Sequence, residues 1–262
     1  MARVLLKRLS PFAFPGGNPG FDPTHLAVKG ATVRLSAIAS GGAFTNLLTG
    51  KAGAKAGTPT SLIDSQLGPA CKFSSSTDAW TFSGNPTTND QTITLACIAK
   101  FTSISTNQAL LGTSTTDAGA FLGCGTGPLF VRCASTNTTI PWQNFAFTNT
   151  PGIPFFLAVS INGTKANAVV VNLSNGNFNT ATAFTISAPT APNGTYEVGN
   201  IIPFGLPTLG DMSAVMFSTA FLSVPELFRW GMDPWSFWYP HTFDLSFLSS
   251  PITDILYPQI ML

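Results

Sequence analysis

Gly210-Asp-Met-Ser-Ala-Val-Met-Phe-Ser-Thr-Ala-Phe-Leu-Ser-Val-Pro-Glu-Leu-Phe-Arg-Trp-Gly-Met-Asp-Pro-Trp-Ser-Phe-Trp-Tyr-Pro240 is the stretch on which the reading of this chain turns. In its first half Met212, Ala214, Met216 and Ser218 alternate with Ser213, Val215, Phe217 and Thr219, so both faces of a strand carry apolar residues. A strand covered on both sides belongs inside a layered β structure. Ser223-Val-Pro-Glu226 then has the form of a capping box: the Ser side chain caps the first turn, Glu226 reaches back to the Ser amide, and Pro225 is tolerated at the helix start. The spacing predicts a helix of little more than two turns near 224–230. Gly231 is placed to stop it in a left-handed conformation, before Asp233-Pro234 forbids its continuation.

The order of a buried strand, Phe217-Ser-Thr-Ala-Phe-Leu-Ser-Val-Pro-Glu-Leu227, a short helix and Asp233-Pro-Trp-Ser-Phe-Trp-Tyr-Pro240 resembles the end of the concanavalin A-like lectin/glucanase superfamily in its laminin-G-like form. The closing motif is similar to that of members encoded by bacteriophages and prophages. Upstream, Gly68-Pro-Ala-Cys-Lys-Phe73 with Ala79-Trp-Thr-Phe82 resembles the entry strands of that family, and Gln91 to Lys100 a following core strand. Phe155 to Gly163 and Gly194 to Gly199 resemble two later ones, all in the family's order. The resemblance runs from Leu62 to Pro240. It implies a jelly-roll sandwich, and in the phage-encoded members a place in the virus particle.

Composition agrees with many short strands. Charged residues are 9% of the 262, Phe alone numbers 22, and Gly and Pro number 24 and 20. A chain of this length folds as one β-sandwich in many proteins. The scarcity of charge suits a protein whose surface is partly covered by partners. Basic residues concentrate early: Arg3, Lys7, Arg8, Lys29, Arg34, Lys51 and Lys55 face Asp22 alone, whereas five basic and ten acidic residues follow. A basic arm ahead of a neutral β domain is a pattern of viral coat proteins. Its charges are too thinly spread to neutralise many phosphates, which weighs against nucleic acid.

The chain opens without the sustained apolar run and small-residue cleavage site of a secretion signal, and no stretch reaches the roughly 18 apolar residues of a membrane span. The expected place is therefore a virion assembled from protein made in the host cytoplasm. Residues 10–23 carry four prolines among Phe12, Phe14 and Phe21. Two readings stand for them: an arm that makes aromatic contacts with a neighbour, or a strap over this chain's own sandwich. Ala31 to Ala39 alternates cleanly and is expected as an edge strand, followed by a mobile Gly/Ala/Lys/Thr loop over 40–60.

Between 100 and 200, short apolar runs alternate with Gly/Asn/Thr/Pro turns, the pattern of an antiparallel sandwich. Asn162-Gly163 is a candidate type I′ turn. Cys71 and Cys97 sit in strands as small core residues. Cys124 and Cys133 flank a hairpin centred on 125–128 that pairs 124 with 129, so no disulfide spans it, and no spacing suits a metal. Loops bearing Asp117, Asn137, Trp142, Gln143 and Asn144 carry an aromatic plate and amide partners suited to a pyranose; a packed rim residue is the competing reading of Trp142. A calcium site would need converging carboxylates, which the sequence does not bring together, so no cofactor is expected.

Glycosidases of this fold use paired carboxylates on one strand. The two glutamates, Glu197 and Glu226, are far apart in sequence, and the second belongs to the capping box, so no catalytic set is expected. The last segment carries Phe243, Phe247, Leu256 and Tyr257 among many apolar neighbours, and is expected to close over the sandwich or, the preferred reading, to dock on a neighbouring subunit. The whole gives an all-β, antiparallel two-sheet jelly-roll sandwich over 31–240, with a basic arm over 1–30 and an apolar extension over 241–262. The expected role is a non-enzymatic structural and recognition protein of a bacteriophage particle: capsid decoration, fibre component or tail adhesin. Its partners would be other virion proteins, copies of itself and host-surface glycan. The rivals are a viral jelly-roll coat protein with a basic arm and a free carbohydrate-binding module.

Overall fold

Alternation of apolar residues on both faces, the signal read at 210–219, recurs along several strands and makes the sheets of this protein two-faced. The computed structural model describes residues 21–22, 24–28, 32–40, 42–83, 91–104, 106–113, 119–126, 128–142, 150–190 and 195–238. In chain order the strands are β1 (Val33–Ser40), β2 (Ala43–Asn46), β3 (Lys51–Ala52), β4 (Ala54–Ala56), β5 (Thr60–Asp64), β6 (Gly68–Phe73), β7 (Ala79–Phe82), β8 (Thr92–Phe101) and β9 (Gln108–Thr113). They continue with β10 (Ala120–Cys124), β11 (Leu129–Cys133), β12 (Thr136–Thr139), β13 (Pro154–Asn162), β14 (Lys165–Asn172), β15 (Phe178–Thr185), β16 (Tyr196–Val198) and β17 (Gly210–Ser218). One α-helix, α1 (Val224–Met232), follows.

All pairings are antiparallel. The first sheet runs β15-β14-β13-β8-β17-β1-β2-β3, with β6 joining the start of β17 and β5 joining β6; the second runs β12-β11-β10-β9-β16-β7-β4. Their inner faces share one core, in which Leu95, Cys97, Leu157, Val215 and Phe217 of the first sheet meet Leu110, Leu122, Val131, Tyr196 and Val198 of the second. This is the two-sheet sandwich that the alternation implied.

The outer face of the first sheet is covered as well. Ala96, Ile98, Phe156, Ala158, Val169, Val171, Ala214 and Met216 pack under Leu227 and Trp230 of α1 and under Phe237 and Trp238, which follow it. The helix begins as the capping box requires: the Ser223 amide donates to Glu226 Oε2 at 2.9 Å. It does not end as expected. Gly231 is helical and buried, and a Cβ there would lie 2.6 Å from Val171 Cγ2, so this glycine lets the helix approach the sheet instead of terminating it. Asp233-Pro234 makes the break, and Pro234–Phe237 forms a turn of 3-10 helix.

The path between β17 and α1 is pinned by buried hydroxyls. Thr94 Oγ1 lies 2.8 Å from Ser160 Oγ and 2.9 Å from the Ala220 carbonyl, and the Leu222 amide donates to Ser160 Oγ at 2.7 Å. These groups satisfy backbone that would otherwise be buried without partners, each at a net gain of about 1 kcal/mol.

Several sequence expectations change in detail. β17 does not alternate throughout: its register shifts between Met212 and Ala214, so Met212 faces the shared core while Ala214 faces the helix side. A β-bulge turns the strand there, with the Ser213 hydroxyl donating to the Pro69 carbonyl at 2.6 Å. β1 is not an edge strand; it lies between β17 and β2. Residues 40–60 are not a loop, because β2, β3 and β4 occupy 43–56 and carry the chain from the first sheet to the second. Small residues hid these strands by weakening the apolar alternation. The turn after β13 has Gly163 and Thr164 as its central pair, closed by Asn162 opposite Lys165. Of the two, only Gly163 has positive φ (58°), so the turn is not the type I′ form centred on Asn162-Gly163.

Candidate functional site

The outer face of the second sheet is built differently from that of the first. Phe121 on β10 pairs with Gly112 on β9, and Phe130 on β11 pairs with Gly123 on β10. A Cβ on Gly112 would meet Phe121 Cβ at 2.0 Å, so β9 and β10 approach closely there, and one on Gly123 would meet the Phe130 ring at 2.4 Å, so that ring lies over the neighbouring strand. Ile201, Phe204 and Leu206 from the turn after β16 cover Phe121 and Phe130 in a small cluster with Ala109. Arg132, two residues after Phe130 and hence on the same face, sets its guanidinium 4.5 Å from the centre of the Phe204 ring and 5.9 Å from that of Phe121. Such cation–π contacts contribute about 0.5–1 kcal/mol each at partly exposed sites. Asn137 on β12 stands directly opposite Arg132 and accepts from its Nη1 at 3.3 Å. The result is a half-exposed cation held on an aromatic base beside an exposed amide.

Asn137 thus falls on this open face. Trp142 does not join it: it is half-buried against the core shared by the two sheets, in the packed position that was its competing reading. Asp117, Gln143 and Asn144 lie outside the described residues, as do Phe12, Phe14, Phe243, Phe247, Leu256 and Tyr257. Phe21 is described and packs within the molecule, stacked on Phe237 with ring centres 5.6 Å apart. Beside it the Asp22 amide donates to the Phe237 carbonyl at 2.6 Å, His25 sets its ring edge against Trp230 at 4.9 Å, and Ser218 Oγ donates to the Ala27 carbonyl. Residues 21–22 and 24–28 therefore lie as a strap over this chain's own first sheet. Arg132 escaped the sequence reading because its ring partner, Phe204, is distant in the chain; Phe130-Val-Arg132 signalled only a shared face.

Among the described residues, Glu197, Glu226, Asp78, Asp64 and Asp211 are engaged within the fold. Glu197 on β16 is 3% exposed, and burial pushes its carboxyl up although Oε2 accepts the Ile202 amide at 2.7 Å. Glu226 is spent on the capping box. Asp78, fully buried, accepts the amides of Thr58, Ser74 and Ser75. On the outer side of the first sheet, Lys100 is paired with Asp64 and lies 3.6 Å from Asp211 Oδ2. Burial pushes Asp64 up, but Lys100 and the amides of Gln66 and Leu67 outweigh it and leave the group below its ordinary value. Asp211 goes the other way: burial raises it beyond what Lys100 returns. The four cysteines are buried free thiols, and burial pushes Cys71 up to about 11 and Cys133 to about 12. A cavity of about 280 Å³ lies between the strap and the helix, lined by Asp22, His25, Arg229, Trp230, Asp233 and Ser236. No helix among the described residues is long and apolar enough to cross a membrane.

No family model matches the sequence, and no curated protein matches it. Solved structures match in shape. Domain 4 of AbnA, a GH43 extracellular arabinanase from Geobacillus stearothermophilus, solved in complex with arabinotriose, is similar at a TM-score of 0.57 and 12% identity, covering 77% of this chain and 98% of that domain. The botulinum neurotoxin serotype D binding domain is similar at 0.55 and 11% identity, covering 79% of this chain. Only 53% of the toxin domain is covered, so this chain spans about half of its length. At such identities the likeness is one of fold, a β-sandwich.

Proposed function

We propose that this protein is a non-enzymatic recognition protein of a bacteriophage particle, binding host-surface glycan on the open outer face of its second sheet. The observation that carries the reading is the pairing of Arg132 with Asn137 above Phe121 and Phe204, a cation, an amide and an aromatic base gathered on one partly exposed sheet face. Sugars are held by such sets, through hydrogen bonds to hydroxyls and contact of ring faces with aromatics. The likeness in shape over 98% of a domain solved with arabinotriose supports the ligand class. The absence of enzymatic activity is supported by Glu197 and Glu226, which are engaged in a buried backbone contact and a helix cap. The particle is supported by the resemblance of Asp233 to Pro240 to phage-encoded relatives and by the apolar sequence after it.

Titration calorimetry of the full-length protein against a panel of neutral and acidic oligosaccharides tests the ligand. Binding of at least one saccharide, without release of reducing sugar on incubation, is the expected result. No binding across the panel would remove the glycan from the proposal, and released sugar would make the protein an enzyme. Peptide mass spectrometry of purified particles tests the location; its absence from them would remove the virion.

A further inference from the structure

We infer that β15 is the surface through which two copies of this protein join, edge to edge across a two-fold axis, into one continuous sheet. β15 ends one side of the first sheet and is bonded only to β14. The bond from the Asn172 amide to the Asn177 carbonyl, 2.7 Å long, flanks the Val171–Phe178 pair and makes it a non-hydrogen-bonded one. The N–H and C=O of Phe178, and of Thr180 two places on, therefore point away from β14 to the open side, where no described strand meets them.

Sheet edges are ordinarily guarded by charge, proline or shortness. The other outer strands carry such guards: Lys51 on β3, Lys55 on β4, Asp64 on β5, and a length of 4 residues in β12. β15 has 8 residues, Phe-Asn-Thr-Ala-Thr-Ala-Phe-Thr, with neither charge nor proline. Its one irregularity, at Ala183 with φ 48°, falls late and leaves Phe178 to Ala181 as a regular edge. The flank of that edge is apolar. Phe178, 40% exposed, lies against Phe228 of α1 with ring centres 4.4 Å apart, and Met232, 57% exposed, stands one turn further along the same helix face.

A second copy is the occupant that this edge specifies. A neutral strand meets its own copy with no like charges opposed. With Phe178 opposite Thr180 of the partner subunit, and the reverse, both pairs exchange hydrogen bonds through the groups that now point outward. The two Phe178 side chains then sit on the diagonal, about 7–8 Å apart, within reach of aromatic rings. Because α1 lies chiefly over β14, the two helices would stand three strand spacings apart across the seam, about 14 Å. Packed helices stand about 8–10 Å apart, and the extra width is room for Phe178, Phe228 and Met232 of each copy. Each copy spends its one β15, so the pairing closes at two and uses no residue of the second sheet.

Sedimentation equilibrium of the full-length protein is the test, with a dissociation constant at or below about 10 µM expected. Thr180→Pro removes an outward N–H and leaves the ladder to β14 whole, and Phe178→Lys sets two cations near one another at the seam. Each should raise the dissociation constant about tenfold or more, with the far-ultraviolet circular dichroism unchanged. Phe178→Lys changes an exposed side chain, so it answers the question even if Thr180→Pro fails to fold. A protein that stays monomeric at about 100 µM, or an assembly that Phe178→Lys and Thr180→Pro both leave unchanged, would overturn the inference.

Discussion

The two outer faces of this sandwich have opposite fates. That of the first sheet is closed by α1, the 3-10 turn and the strap of residues 21–22 and 24–28, and it buries Trp230, Phe237 and Trp238 completely or nearly so. That of the second carries a cluster of four buried residues with Phe204 and Leu206 at its margin, and a half-exposed arginine beside it. The first face stabilises the fold by what it buries, and the second leaves a charged group and an amide at the surface.

The largest effect separating them is expected on the closed face. Trp230→Ala removes a buried indole that touches Phe156, Phe237, Trp238 and His25, and should cost about 3–5 kcal/mol in a denaturant titration. On the open face Phe204→Ala should cost less than about 2 kcal/mol while weakening any ligand that Arg132 holds. Equal losses would erase the distinction between the faces. Gly231→Ala comes next: the new methyl meets Val171 and Phe156, and the expected loss of about 1–3 kcal/mol exceeds the gain of about 1 kcal/mol in helix propensity. A rise in melting temperature would show that the helix can move off the sheet.

The Lys100 cluster sharpens the comparison through pH. Asp64 is held below its ordinary value, so its share of stability is present above the unfolded value near 3.8 and is lost as pH falls through the lower folded one. Asp64→Asn should therefore cost about 2 kcal/mol at neutral pH and progressively less in acid. Asp211 is held above its ordinary value, so its charged form opposes folding at neutral pH, and stability is regained as pH falls through the raised value. Asp211→Asn is expected to be neutral or to stabilise by up to about 1 kcal/mol. Thermal melts between pH 3 and 7 check both signs, and identical profiles for the two variants would contradict the assignment. The smallest effect is expected from Arg132→Gln, within about 1 kcal/mol of the parent in the same melts.

How far the sequence reached follows the same division. Local signals were legible: the two-faced apolar run of β17, the capping box at Ser223 and Glu226, and the hairpin in which Cys124 pairs with Leu129. Each depends on residues within a few positions of one another. What escaped needed tertiary contacts. Gly231 reads as a helix stop until the nearness of Val171 is known, and Met212 and Ala214 share a face until the bulge parts them. Asn137 stands out in the sequence by its amide, but Arg132 beside it depends on Phe204, which only the fold brings near.

The position of β17 has a consequence for biosynthesis. This late strand lies between β8 and β1 in the middle of the first sheet. Until residue 218 has left the ribosome, a nascent chain holds β8 and β1 with one edge each unpaired, and both edges are apolar templates for another chain. Closure of the first sheet therefore waits for β17, which joins β1 and β8 through contacts of very long sequence separation. Translation that stalls before 210 leaves a protein whose sheet lacks its centre, so premature termination should be sensed as aggregation.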